Sequence, residues 1–217
     1  MISHWVYHLS AAYDCPGHTS ITDLLLAAEV FFLAGRMTRT PKDRLSAAWY
    51  FSGVLLLLGV AALLGGIDHG FFEQTNMPRY LIQRSDWIVL GGVTFCLLMT
   101  TAKQFFSPRV QRVVFIAAVV QFAADTAAVL LVDSFLDVIL NYVPVMLLLL
   151  VMSFIGLRSG IGSAQMVAGI LILFAASGIQ AAGLDVFRPL DRNGLYHLVS
   201  MIGVAFLYLG GVQLRTK

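Results

Sequence analysis

Apolar positions along this chain fall into seven long unbroken stretches rather than alternating or recurring on one helical face. They cover residues 21–37, 45–69, 86–101, 110–132, 138–157, 161–184 and 190–214. About 20 apolar residues at a rise of 1.5 Å each cross the hydrocarbon core of a bilayer. A spanning segment must also satisfy its own backbone hydrogen bonds, so stretches of this length predict transmembrane α-helices. The expected fold is an all-α, seven-transmembrane helix bundle over residues 21–217. Residues 1–20 mix Trp5, Tyr7 and Tyr13 with polar groups and form an N-terminal interfacial segment ending at Pro16-Gly17.

The breaks between the stretches carry the helix signals. Ser20 or Thr22 caps the first span, with Asp23 in its first turn, where a negative charge suits the helix dipole. Asp68 and His69 close the second span, Asp86 opens the third, and Pro144 sits in the first turns of the fifth. The run Asp191-Arg192-Asn193-Gly194 is a charged turn before the seventh span, with His197 one turn inside.

Composition agrees with the pattern. The chain has 217 residues, 59% hydrophobic and only 12% charged, against about 25% charged in a soluble domain. A net charge of +2, without a basic cluster interleaved with aromatics, gives no reason to expect a nucleic-acid partner. The two cysteines, Cys15 and Cys96, make no disulfide framework. Residues 1–20 lack the sustained apolar core of a cleavable signal. Basic residues concentrate after the first, third and fifth spans and at the C-terminus. The positive-inside rule therefore predicts an outside N-terminus and a cytoplasmic C-terminus in an integral, multi-pass membrane protein.

This topology brings the intramembrane polar groups to the outer half: Glu29, Asp68, His69, Asp86, Asp125, Asn141, Gln180, Asn193 and His197. Ionisable groups are costly in lipid and should face the bundle interior and one another. Two imidazoles with nearby carboxylates suit Zn²⁺, with an open position for water, whose pKa the metal lowers to about 7. Asp86 is then a candidate general base, or the group that orients a ligating ring. The plainer alternative is that each histidine hydrogen-bonds a helix end or a carboxylate. A bis-histidine haem is disfavoured, because both rings lie at one outer edge. Glycine pairs Gly59/Gly66 and Gly203/Gly211 allow close helix packing, and Asn141 and Gln180 are expected interhelical hydrogen-bonding groups.

These positions resemble the seven-span hydrolase superfamily of alkaline ceramidases, adiponectin and progestin receptors, and lipid-remodelling proteins. That family carries Ser-x-x-x-His at the end of span two, Asp at the start of span three, and His-x-x-x-His at the start of span seven. Here the places read Gly65-Gly66-Ile67-Asp68-His69, then Ser85-Asp86-Trp87, then Asn193-Gly194-Leu195-Tyr196-His197. The resemblance implies a metal-dependent hydrolase of a lipid amide or ester, with zinc held by His69, His197 and the Asn193 position, and with Asp86 and Asp68 as catalytic carboxylates. It also implies a second, calcium-type cation site at Asp14 and Glu29, in Tyr13-Asp14-Cys15 and Ala28-Glu29-Val30-Phe31. Two departures stand out. The family serine is Gly65, and the first span-seven histidine is Asn193, so a metal would need Asp68, Asp191 or another carboxylate to complete its shell. A non-catalytic lipid-binding or membrane-complex accessory protein is the alternative, and an ion-coupled transporter using Glu29 and Asp125 ranks last.

Overall fold

The computed structural model describes residues 16–73, 75, 77–183 and 191–216. Among them the chain forms seven long helices and no strand. These are α1 (Pro16–Arg39), α2 (Ala47–Ile67), α3 (Met77–Phe105), α4 (Pro108–Leu131), α5 (Phe135–Gly156), α6 (Ala164–Ala181) and α7 (Arg192–Gly211). Helix α2 runs on through a π-helical turn, Asp68–Phe72, and α5 through a 3-10 turn, Leu157–Ser159. Six of the seven helices, α2 to α7, are long and apolar enough to cross a membrane. Helix α1 has the length at 24 residues, but it carries Asp23, Glu29, Arg36 and Arg39.

The helices pack mainly in chain order, and α1 closes the circuit by lying against α7. Helix α5 packs on both α3 and α6, whereas α4 rests outside, against α3 and α5. Helix α2 is apolar all round, as a helix inside a bundle should be. It contributes Phe51, Val54 and Leu55, each at most 1% exposed, to the central core. Lipid tails are as apolar as these side chains, so close packing rather than burial from water holds the helices together. The α6–α7 pair shows this most directly. A Cβ on Gly169 would stand 2.8 Å from the backbone nitrogen of Leu207, and one on Gly203 would stand 2.9 Å from Leu173. Gly59 similarly lies beneath the Phe31 ring, and Gly211 beneath Phe51.

Two boundaries differ from the sequence expectation, for the same reason. Helix α1 begins at Pro16, so Ser20, Thr22 and Asp23 lie inside it instead of capping it. The Ser20 hydroxyl donates across to the Gly66 carbonyl of α2 at 2.7 Å. Helix α3 begins at Met77, nine residues before Asp86, which therefore sits more than two turns into the helix. In both places a polar residue that marks the edge of the apolar run is a cavity-facing residue of a longer helix. Asp191 does cap α7, accepting from the Gly194 backbone N–H at 2.7 Å, and takes a second bond from the Thr19 hydroxyl of α1 at 2.9 Å.

Candidate functional site

The ends of α1, α2, α3, α5, α6 and α7 surround one cavity of about 830 Å³. Its polar lining includes Asp23, Asp68, His69, Asp86 and His197, and its apolar lining includes Leu26, Leu58 and Trp87. Four of those five polar residues, Asp68, His69, Asp86 and His197, are the site residues expected from the sequence. The fifth, Asp23, is the cavity residue that the sequence reading placed only in the first turn of a helix.

His197 is buried on the second turn of α7, and α1 packed alongside supplies partners for both ring nitrogens. Nε2 lies 3.0 Å from Asp23 Oδ1, and Nδ1 lies 2.9 Å from the Thr22 hydroxyl oxygen. Adjacent residues on one helix turn thus grip opposite edges of the ring. The Thr22 hydroxyl also lies 2.9 Å from the Thr19 carbonyl, which extends the chain of polar contacts along α1. With the Thr19–Asp191 bond above it, this α1–α7 wall is continuously hydrogen-bonded.

The α2–α3 wall is looser. The π-helical turn carries Asp68 and His69, and such turns often occur at functional sites. Arg79 Nε and Gln83 Nε2 each stand 3.5 Å from Asp68 Oδ2, and His69 Nδ1 stands 3.8 Å from Glu73 Oε1. These are long contacts, at or beyond the limit of a hydrogen bond. Asp86 makes none at all through its Oδ1, which is buried without a partner. Asp68 Oδ1 and Asp23 Oδ2 are likewise buried without partners. Asp86 also lies within electrostatic reach of both Asp23 and Asp68. Three orphan carboxylate oxygens around one cavity are costly unless a proton, water or ligand serves them.

Other expected residues lie elsewhere. Asn193 is not part of the cavity lining; its Oδ1 accepts from Gln180 Nε2 at 3.1 Å. Gln121 Nε2 donates to Asn141 Oδ1 at 2.6 Å, an α4–α5 bond of the kind expected. Asp125 is buried over the Gly91 backbone of α3. Glu29 is partly buried and lies outside the cavity lining. Asp14, its expected calcium partner, lies outside the described residues, as does Cys15.

The zinc expectation meets a specific difficulty. Both nitrogens of His197 are engaged, Asn193 is bonded to Gln180, and among the described residues no three His, Cys, Asp or Glu side chains stand together as a coordination shell. The arrangement does not fit a preformed zinc site. The groups it does present are capable of acid–base chemistry: a buried Asp–His pair on one side and a carboxylate with one unpartnered oxygen, Asp86, on the other.

Comparison with known proteins adds the family alone. Residues 18–216 match a family of unknown function, DUF6962. The chain belongs to that family. No curated protein and no solved structure matches the chain. The match runs from the first turn of α1 to residue 216, past α7, so every lining residue of the cavity and all of the helices but the first two residues of α1 fall within it.

Proposed function

We propose that this DUF6962 member is a membrane-embedded hydrolase that cleaves an amide or ester bond of a lipid, resembling the alkaline ceramidase superfamily in site position. The observation that carries the reading is the convergence of Asp68, His69, Asp86 and His197 on one cavity. The cavity's volume and mixed polar and apolar lining suit an amphiphile whose headgroup region meets the carboxylates. In this reading Asp86 Oδ1, free of competing bonds, takes a proton from water as it attacks the carbonyl carbon and returns it to the leaving amine or alcohol. Asp23 and Thr22 fix the His197 ring, and the ring donates to the oxygen that gains negative charge after one of its own bonds opens. All seven helices span the bilayer, α1 included. The basic loops lie in the cytoplasm, so the cavity opens to the outer side.

The test is turnover of a fluorescent ceramide and of a fluorescent acyl ester by protein purified in nanodiscs. Cleavage by the wild type that disappears in Asp86→Asn is the expected result; cleavage unchanged by that substitution contradicts the assigned base. Elemental analysis of the same preparation decides the metal question. Stoichiometric zinc lost in a His69→Ala/His197→Ala variant would restore a metal to the mechanism.

One observation favours a second reading, a lipid-binding accessory protein without catalysis. Both His197 nitrogens have protein partners, as in a structural histidine. Copurification of one intact lipid with no turnover would select it.

A further inference from the structure

The opposite end of the bundle holds a second cavity, of about 400 Å³, where α1 ends and α2 begins. Arg39, Lys42, Arg44, Trp49 and Ser52 are among its lining residues. Lys42 is already committed. Its Nζ donates to the Met37 carbonyl at 2.5 Å and the Thr40 carbonyl at 2.7 Å, so it neutralises the carbonyl end of α1. Without it, those carbonyls would repel an anion. Arg39 and Arg44 are exposed, and no carboxylate among the described residues pairs with either.

The backbone between them is unusual. Leu45 has φ 63°, the only positive φ outside glycine among the described residues. A bulky side chain avoids this left-handed region, and departures of this kind cluster where function requires them. The turn leaves Leu45 52% exposed directly beside Arg44. Trp49, one turn into α2, is 41% exposed and lines the same cavity. Two guanidiniums with free donors, beside an exposed indole and an exposed Leu at the end of a membrane-length helix, match the two parts of a phospholipid at the interface.

We propose that this end of the protein binds the phosphate of an anionic membrane lipid between Arg39 and Arg44, with the lipid's acyl portion against Trp49 and Leu45. The shared chemistry with free phosphate is the anion; the exposed apolar pair is what selects the lipid. The site is separate from the acid-lined cavity, so it stands or falls independently of the hydrolase reading.

The experiment measures thermal unfolding of the full chain in detergent micelles titrated with phosphatidylglycerol, phosphatidylcholine or inorganic phosphate. Phosphatidylglycerol should stabilise the wild type, with little effect from the other two. An Arg39→Ala/Arg44→Ala variant should need roughly thirtyfold more phosphatidylglycerol for the same shift, at about fivefold per basic residue. An Arg109→Ala/Arg112→Ala variant, which removes two exposed arginines outside this cavity and so only their general attraction to an anionic surface, should need a clearly smaller increase than the Arg39→Ala/Arg44→Ala variant. Equal stabilisation by phosphatidylcholine, equal loss in the two double variants, or the full effect from inorganic phosphate alone would each overturn the proposal.

Discussion

The two walls of the acid-lined cavity are built on different terms. On the α1–α7 side, His197 is held at both nitrogens within 3.0 Å and the Thr19–Asp191 bond ties the start of α7 to α1, with Asp23 Oδ2 the one carboxylate oxygen left unpartnered among the groups named here. On the α2–α3 side, Asp68 and His69 make contacts of 3.5 to 3.8 Å, and Asp86 Oδ1 has no partner. A satisfied buried polar network rigidifies and specifies a fold, whereas an unsatisfied group holds unspent affinity for something else. In the proposed mechanism the α1–α7 wall holds the His197 donor in place and the α2–α3 wall supplies the proton acceptor, Asp86.

Substitutions can break this division. The largest effect should come from Asp86→Asn, which removes a proton acceptor; the activity should fall by about 10² to 10⁴-fold. Its thermal unfolding should be unchanged or later than wild type, because an orphan carboxylate is lost. A destabilised Asp86→Asn protein would show that Asp86 belongs to the frame instead. Next in size is Asp23→Ala. It leaves His197 Nε2 buried without its partner, at a cost of about 3 kcal/mol, or a fall in unfolding temperature of roughly 6–12 °C. Thr22→Val removes only the hydroxyl from Nδ1 and should cost about 1 kcal/mol by the same measurement. If Asp23→Ala melts like the wild type, the tight wall is not holding the bundle together.

The smallest effects on stability belong to the loose wall. His69→Ala should shift stability by less than about 1 kcal/mol, since its contact with Glu73 is long and partly exposed. Gly65→Ser should be similarly mild. A Cβ there meets the Asp23 carboxylate oxygens at 3.5 Å, an ordinary contact, so the added hydroxyl can reach an oxygen that now lacks a partner. A fall of several degrees in unfolding temperature for either variant would mean that this wall is packed more tightly than its distances indicate.

The helices and the shared end of the site were legible because apolar length and the sequence placement of His69, Asp86 and His197 are one-dimensional signals. The starts of α1 and α3 were not. A helix that continues past the apolar region carries polar residues, and Asp23 and Asp86 look the same in sequence whether they cap a helix or face a cavity. That ambiguity concealed Asp23 as the partner of His197, although its sequence position one residue from Thr22 gave both ends of the grip. The π-helical turn at Asp68–Phe72 left no local signal, since it depends on how α2 meets its neighbours. Asn193 was placed by alignment with a histidine-bearing motif, but its amide finds Gln180 instead.

The central claim, hydrolysis of a lipid by Asp86, can be tested without choosing a substrate. Wild-type protein in nanodiscs made from a total lipid extract is incubated in H₂¹⁸O, and the released fatty acids are examined by mass spectrometry. Hydrolysis places one solvent oxygen in each new carboxylate, so singly ¹⁸O-labelled fatty acid should accumulate with the wild type and stay at background with Asp86→Asn. Labelling at background in both, or equal labelling in both, would contradict it.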